Sequence, residues 1–407
     1  MLRPAAFLSL AAAAGLMAFM SRGPVPVEPL APSPSGAARE APLPEPALAG
    51  LAGPFVHENL ALYLVRAGPD HPADPVDYLT LSEGLEAGQV AVEETGDVNE
   101  LKVKNRAGRP LFIQAGEVIR GGRQDRTVGV DLIVPPSPEG IALPSFCVEQ
   151  GRWSQRGGER SDSFATSTKM VASKGLRGAV NHSKTQGAVW QNVEATKQKL
   201  SENLAVQVDD ARSASSYELA LDHEAIKEVQ GAYREELSGL PAKVEDAVGL
   251  VWAVNGELVG AEVYGSRKLF LKLWPKLLDV AVIEAVAERD AKAKAPAPTP
   301  AQVARFLVVP GGEAEQQTPT SRTRVDYRRT PEHGYYETTD TEVKAWVHRS
   351  HTDLDAVATR APQPARQLQN LLGGSSSGAL SNVFDPGQGL QVNNALGLGG
   401  LGRGNAP

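Results

Sequence analysis

The stretch VGLVWAVNGELVGAEVY, residues 248–264, consists of two alternating apolar runs separated by Asn255-Gly256. An Asn-Gly pair readily adopts the positive φ angles that a two-residue type I′ turn needs at both central positions. The stretch therefore predicts an antiparallel β-hairpin with one strand on each side of the turn. Residues 266–289 follow with the apolar spacing of a helix, so a long helix should come directly after the hairpin.

Residues 54–153 hold further short, β-branched segments, which are separated by Gly, Pro, Asn and Asp. Short segments separated by these residues are typical of strands joined by turns. Residues 186–237 instead place apolar side chains at i, i+3, i+4 and i+7, the spacing of amphipathic helices, and alternating segments return at 322–350. The predicted fold class is therefore α+β: a β-rich domain of antiparallel or mixed sheets with several amphipathic helices.

The two ends of the chain differ in composition from this folded part. Residues 1–22 carry an apolar run after Arg3, which is typical of a signal peptide or a membrane anchor. Residues 23–52 are rich in proline and predict an extended linker, residues 53–352 form one domain, and residues 353–407 are Gly-rich and expected to be disordered. We therefore expect an exported protein, periplasmic or anchored facing outside the cytoplasm, that contacts the membrane only through its N-terminal segment.

Composition narrows the classes of partner. The 407 residues contain 41 Lys and Arg against 48 Asp and Glu, a formal charge of −7, which argues against general binding to nucleic acid. The single cysteine, Cys147, excludes an intramolecular disulfide and any zinc site built on paired cysteines. The histidines show no H-E-x-x-H or similar ligand spacing, so neither a metal nor a cofactor is expected.

Charged residues crowd the stretch QAGEVIRGGRQDRT, residues 114–127. A two-residue turn at Gly121-Gly122 would make it a hairpin with Glu117 directly opposite Arg126 on the inward face. Arg120, Arg123 and Asp125 would then share the outer face, where facing arginines favour a bound anion. The alternative is that the ion pair fixes the register and that the remaining charges are solvated.

A second charged stretch is LPSFCVEQGRW, residues 143–153. Alternation places Phe146 and Val148 on one face, so Cys147 and Glu149 point to the other. If this strand lies beside the hairpin, Glu149 and Arg152 should converge with Glu117 and Arg126 in one polar pocket.

The residue types suggest roles in binding a small anionic ligand. The candidate general bases are Glu117, Asp125 and Glu149. Arginines bind phosphate or carboxylate with paired hydrogen bonds, and an indole stacks on a base or sugar; the candidate ligand-binding residues are Arg120, Arg123, Gln124, Arg126, Gln150, Arg152 and Trp153. Cys147 is a candidate nucleophile or a small buried hydrophobe, and Trp153 has the alternative of a core position. Residues 154–187 are basic and lack a clear period, which predicts a mobile cover over the site or a surface excursion.

Four stretches together resemble a bacterial domain family named for its association with ADP-ribosylglycohydrolases and with rhodanese-phosphatase proteins. They are LFIQAGEVIRGGRQDRTVGVDLIVPP, LPSFCVEQGRW, GAVWQNV and GLVWAVNGELVGAEVYGSRKLFLKLWPKLL. The resemblance covers most of 53–352 and implies a β-rich domain that handles ADP-ribose or related NAD-derived, phosphorylated ribosyl compounds.

Two function classes follow. One is an enzyme, such as a hydrolase of these compounds, and the other is a non-catalytic binding module or envelope scaffold with structural ion pairs. A working base should have a shifted pKa beside an open cavity, whereas a scaffold should keep its carboxylates sealed by arginine.

Overall fold

The computed structural model describes residues 50–354, except residues 70, 72, 73, 75 and 291–294. The N-terminal segment 1–22, the linker up to residue 49 and the tail from residue 355 lie outside this part. The first strand begins at Gly50, so residues 50–52 belong to the domain rather than to the linker. Within the described part, none of the helices has the length and apolarity needed to span a membrane.

The described strands and helices alternate along the chain much as the sequence predicts. The strands are β1 (Gly50–His57), β2 (Leu60–Arg66), β3 (Leu79–Thr80), β4 (Val90–Glu94), β5 (Glu100–Asn105), β6 (Leu111–Ile113), β7 (Glu117–Gly121), β8 (Arg126–Val128), β9 (Leu132–Val134), β10 (Ser137–Cys147), β11 (Phe164–Met170), β12 (Ala247–Val254), β13 (Glu257–Tyr264), β14 (Glu313–Thr320), β15 (Thr323–Arg329), β16 (His333–Asp340) and β17 (Ala345–Asp353). The helices are α1 (Leu81–Glu86), α2 (Lys174–Gly178), α3 (Gln186–Leu204), α4 (Tyr217–Leu221), α5 (Glu224–Leu237), α6 (Leu240–Lys243), α7 (Arg267–Ala287) and α8 (Pro300–Phe306), and a π-helical turn covers Ala179–Ser183.

An eight-stranded sheet is the largest element, with the order β1-β2-β12-β13-β17-β16-β15-β14. The predicted hairpin β12–β13 lies inside it, and Val254 pairs with Glu257 across the turn. Asn255 and Gly256 have φ angles of 53° and 82°, as a type I′ turn requires. The strands near the C-terminal end of the domain close this same sheet.

Two smaller sheets complete the β structure. One has six strands in the order β11-β7-β8-β10-β5-β4, and the other has three, β3-β6-β9. β3 and β6 are parallel, whereas the other strand pairs of the described residues are antiparallel. The α+β fold with antiparallel and mixed sheets is therefore confirmed.

The long helix α7 is buried along most of its length. Ser266 caps its first turn by accepting a hydrogen bond from the Leu269 N–H, and Pro275 lies inside it. Trp252 of the large sheet, Phe270 of α7 and Leu200 of α3 belong to one apolar core. Because sheet and helices both cover α7, its apolar side chains occupy more than one stripe, and the charged Lys276, Asp279 and Glu284 are buried among them.

The charged hairpin β7–β8 departs from its predicted register. Ile119, not Glu117, pairs with Arg126, so the register prediction and its two-residue turn are wrong. The Asp125 carboxylate accepts a hydrogen bond from the Gly121 N–H at 3.0 Å, which closes a longer loop. Since the register differs by two residues, each side chain keeps its predicted face but has different neighbours across the ladder.

Part of the segment 154–187, which was predicted to be a mobile cover or a surface excursion, is built into the fold, and the cover stays a prediction. Their strand β11 pairs with β7 in the six-stranded sheet. Arg156 and Arg177 are buried, with 6% and 3% of their surfaces exposed. Both side chains form internal ion pairs, Arg156 with Asp125 and Arg177 with Glu262, whereas Arg160 pairs with Asp162 at the surface.

Candidate functional site

The predicted ion pair between Glu117 and Arg126 is absent, although both side chains are fully buried. Glu117 accepts hydrogen bonds from the Lys276 ammonium group of α7 at 2.6 Å and from the Gln114 N–H at 3.0 Å. The Arg126 guanidinium lies 3.6 Å from the Glu94 carboxylate. The register of the hairpin separates the two groups, and a different partner neutralises each.

Asp125 lies at the centre of a buried cluster of charges. Its two carboxylate oxygens accept hydrogen bonds from Arg156 at 2.8 and 2.9 Å. The Ser216 hydroxyl donates a further bond at 2.9 Å. With the Gly121 N–H, these donors occupy both oxygens of a carboxylate that has no exposed surface.

Glu149 completes this arrangement from the end of the neighbouring strand. Its carboxylate accepts hydrogen bonds from Arg152 at 2.7 Å, from the Asp125 N–H at 3.0 Å and from Arg156 at 3.3 Å. Burial works to raise the pKa of Glu149, but the bonds from Arg152, Ser213 and the Asp125 N–H outweigh burial and lower it. We call Asp125, Glu149, Arg152 and Arg156 the motif cluster.

Two further groups balance the charge at the edge of the motif cluster. Glu159 lies 2.7 Å from Arg120 and 3.1 Å from Arg156, and Arg120 also approaches Asp222 at 3.5 Å. Three carboxylates therefore balance three guanidinium groups. They are Asp125, Glu149 and Glu159 against Arg120, Arg152 and Arg156. No guanidinium of this set is left over to bind an external anion.

The predicted convergence of four charged residues is thus half right. Glu149 and Arg152 do meet, and Arg152 also donates to the carbonyl groups of Gly121 and Gly122 at 3.3 and 3.2 Å. Glu117 and Arg126 make separate contacts and form no ion pair with this set.

Trp153 and Arg123 lie at the surface beside the motif cluster. The indole is 47% exposed, so the core alternative for Trp153 does not apply. The guanidinium carbons of Arg123 and Arg126 lie 5.8 and 5.7 Å from the ring centroid, within cation–π range. Among the described residues, the Arg123 side chain forms no ion pair. We call Trp153 and Arg123 the tryptophan face.

The two glutamines hold the motif strands in place. The Gln124 side chain is buried and donates to the Glu149 carbonyl group at 3.0 Å. Gln150 exchanges hydrogen bonds with the Ser215 hydroxyl through its backbone N–H at 3.0 Å and its carbonyl group at 2.6 Å. The binding role predicted for both side chains stays a prediction.

Cys147 is buried, with 2% of its surface exposed. Burial raises the pKa of its thiol, although the charge of Arg126 acts in the opposite direction. The sulfur contacts the Arg126 guanidinium and lies 3.9 Å from the Val98 carbonyl oxygen. A thiol of this kind stays protonated and is shielded from reagents, which favours the interpretation of Cys147 as a small core residue.

Comparison with known proteins identifies a family for nearly all of the described residues. The family model ARPP-1, the ARG and Rhodanese-Phosphatase-superfamily-associated Protein domain, matches residues 50–352. The chain belongs to the ARPP-1 family. Neither the curated proteins nor the solved structures contain a significant match. The motif cluster and the tryptophan face both lie inside the matched range of the ARPP-1 domain.

A second buried cluster of the ARPP-1 domain centres on His348. Its imidazole lies 2.7 Å from the Asp131 carboxylate on one side and 2.7 Å from the Glu262 carboxylate on the other. Burial alone would lower the pKa of His348, but the two carboxylates outweigh it and raise the pKa to about 9. Arg177 donates to Glu262 at 2.7 Å, and the Tyr264 ring stacks on the imidazole at 4.7 Å.

Sequence patterns missed several of these partners. Arg156 falls in the stretch 154–187. The excess of basic residues in that stretch was the only sequence signal that pointed to Arg156. Lys276 looks like any exposed lysine of an amphipathic helix, because nothing in its own segment shows that Glu117 lies opposite. Asp131 lies just before β9, whereas Glu262 and His348 lie in β13 and β17, and no spacing along the chain connects the three.

Proposed function

We propose that this ARPP-1 domain is a binding module for a phosphorylated ribosyl ligand of the ADP-ribose or NAD-derived class. In this proposal the carboxylates of the motif cluster hold the fold together and do not act as bases. The observation that carries it is the complete sealing of Asp125 and Glu149, which have no exposed surface. Both are engaged by Arg152, Arg156 or backbone N–H groups.

A general base must reach the proton that it removes, and it works best when its pKa lies near the working pH. Asp125 and Glu149 have no access to solvent. The pKa of Glu149 is lowered further from neutrality. Both properties favour a structural role over base catalysis.

The tryptophan face supplies the recognition chemistry in this proposal. An indole stacks on a purine ring, and a guanidinium binds phosphate through paired hydrogen bonds. Trp153 is exposed, and Arg123 lies 5.8 Å from its ring, so one nucleotide spans both groups. The association of the family with ADP-ribosylglycohydrolases supports this class of ligand.

Calorimetry with the full-length protein tests the proposal, using ADP-ribose, AMP and ribose 5-phosphate as titrants. We expect Arg123→Gln to weaken ADP-ribose binding about 10-fold or more, the equivalent of a charge-assisted hydrogen bond of about 1.5–3 kcal/mol. Trp153→Ala should weaken ADP-ribose and AMP more than ribose 5-phosphate, because only the first two carry a base. Arg305→Gln, which removes an exposed charge on α8, is the matched control.

One observation favours a second candidate function, the hydrolysis of such a ligand. Burial raises the pKa of Glu218 to about 7, assisted by the charges of Asp125 and Asp222, and the Ser167 hydroxyl donates to this carboxyl at 2.8 Å. A general acid needs a pKa in this range, but it must also reach the ligand, and Glu218 is 3% exposed, so the hydrolysis candidate requires the buried cluster to open. Glu218→Gln would abolish turnover in a hydrolase, whereas a binding module would keep its affinity for the ligand.

We also propose that the protein works outside the cytoplasm, on the strength of the apolar segment 1–22. Fractionation of cells that produce the full chain or a variant lacking residues 1–22 tests this. The full chain should reach the envelope or the periplasm, and the truncated chain should stay with the cytoplasmic proteins. The same distribution for both would contradict export through this segment.

A further inference from the structure

A pocket of about 410 Å³ lies between the π-helical turn Ala179–Ser183 and the edge hairpin β14–β15. Its volume falls in the range of small-molecule sites, about 300–1,000 Å³. Seven of its lining residues carry polar or aromatic side chains: Asn181, His182, Lys184, Glu313, Glu315, Tyr327 and Arg329. None of them belongs to the motif cluster or the tryptophan face.

The backbone on one side of the pocket has an unusual conformation. A π-helical turn is rare, and such turns occur frequently at functional sites. The turn ends at Lys184, which adopts a left-handed conformation with φ 50° and donates its backbone N–H to the Ala179 carbonyl group at 2.8 Å. This geometry brings Asn181 and His182 of the turn and its capping residue Lys184 to the pocket.

Asn181 has an unsatisfied acceptor in this wall. The residue is 4% exposed, and its side-chain oxygen has no hydrogen-bond partner among the described residues. A buried acceptor without a partner costs free energy, and native proteins rarely keep one without a reason. A ligand that donates an O–H or N–H would satisfy it.

Two cations, Lys184 and Arg329, and two carboxylates, Glu313 and Glu315, line the pocket around a neutral imidazole. Burial is the main cause that lowers the pKa of His182 to about 3, and the charges of Arg329 and Lys184 lower it further. The Lys184 ammonium group lies 3.8 Å from the centre of the Tyr327 ring and 3.3 Å from the Glu315 carboxylate. Arg329 forms no ion pair with any described residue.

We propose that this pocket is a second binding site, for a small hydroxylated anion of the sugar-phosphate class. The phosphate is bound by Lys184 and Arg329, and a sugar hydroxyl donates to the Asn181 oxygen. The Tyr327 ring holds the Lys184 ammonium group at the pocket through a cation–π contact at 3.8 Å. The site does not depend on the binding proposed above for the tryptophan face, because it lies on different elements of the fold.

Glu315 gives the proposal a distinctive consequence. Its carboxylate occupies the neighbourhood of Lys184 where the phosphate would lie, and it repels an incoming anion. Removal of its charge should therefore strengthen binding. A surface ion pair without a ligand would show no such gain.

The experiment is calorimetry of full-length protein carrying Trp153→Ala and Arg123→Gln, so that the tryptophan face does not contribute. The titrants are ribose 5-phosphate, inorganic phosphate and ribose. We expect ribose 5-phosphate to bind more tightly than inorganic phosphate, and ribose not to bind measurably. In this background Arg329→Gln and Lys184→Gln should each weaken the binding of ribose 5-phosphate about 10-fold or more. Glu315→Gln should tighten this binding several-fold.

Arg328→Gln is the matched control, because Arg328 is the neighbour of Arg329 on β15 and alternation places it on the opposite face. The Arg328→Gln variant should bind ribose 5-phosphate with the same affinity as the background protein. Failure of ribose 5-phosphate to bind, equal effects of Arg328→Gln and Arg329→Gln, or unchanged or weaker binding by Glu315→Gln would overturn the proposal. None of these outcomes bears on ADP-ribose binding at the tryptophan face, which is measured separately with Trp153 and Arg123 intact.

Discussion

Arg156 donates to both carboxylate oxygens of Asp125, at 2.8 and 2.9 Å, in a pair with almost no solvent contact. The two residues lie 31 positions apart in the chain. The pair therefore connects the loop of the charged hairpin to the segment that leads into β11. This ion pair explains the burial of both charged residues by a structural role, without a bound ligand.

Substitution of Arg156 by Ala should destabilise the domain strongly. It leaves the Asp125 charge buried with one strong donor fewer, and breaking a buried pair in this way costs about 3–5 kcal/mol. Urea denaturation measures the loss. Arg160→Ala is the control, because the Arg160–Asp162 pair lies on the surface and should change the free energy of unfolding very little. Similar losses for the two variants would argue against a structural role for the Arg156 pair.

Glu149 should stabilise the domain in a pH-dependent manner. Its folded-state pKa is lowered, so its contribution is complete above the ordinary glutamate pKa and is lost as the pH falls through the folded-state value. The difference in unfolding free energy between the natural chain and Glu149→Gln should therefore shrink on acidification from pH 7. A difference that stays constant between pH 7 and the acid limit of folding would refute this assignment.

His348 should produce the opposite pH dependence. Its pKa is raised to about 9 in the folded state, so its stabilising effect is complete below the ordinary histidine pKa, about 6.5, and is lost as the pH rises through 9. Denaturation between pH 6 and pH 10 should show this loss for the natural chain. His348→Gln should be less stable at pH 7 and should lack this loss. Nitrogen NMR of the imidazole offers an independent check, because both ring nitrogens should be protonated at pH 7.

Local signals predicted the fold well, whereas the site depended on distant partners. Asn255-Gly256 signals its hairpin locally, because those two residue types readily adopt the positive φ angles that the turn needs. The Gly121-Gly122 pair looks equally suitable, but Asp125 bonds to the Gly121 N–H and Arg156 fixes that carboxylate, so the register moves by two residues. Alternation could not reveal this, since a shift of two leaves every side chain on the same face.

The partners of the buried charged residues could not be predicted from the sequence for a related reason. Glu117 was recognised as an inward-facing charge, yet its partner Lys276 comes from α7, 159 residues away. His348 belongs to an alternating strand and acquires its significance only where β17 meets Asp131 and Glu262. Such pairings are properties of the tertiary structure.

Cys147 should react slowly with thiol reagents in the folded protein. The side chain is 2% exposed, and burial raises its pKa, whereas the reactive species is the thiolate. Labelling with an aromatic disulfide reagent should be much slower in buffer than in denaturant. Fast labelling of the native protein would restore Cys147 as a candidate nucleophile.

The central claim is that this ARPP-1 domain binds a phosphorylated ribosyl ligand without converting it. Phosphorus NMR of ADP-ribose incubated with the full-length protein tests this most directly, because the spectrum reports binding and turnover together. We predict saturable broadening or shift of the two diphosphate signals, reduced by Arg123→Gln, with no new signals over hours. The appearance of AMP and ribose 5-phosphate signals that grow with protein concentration, or a spectrum that the protein leaves unchanged, would contradict the account.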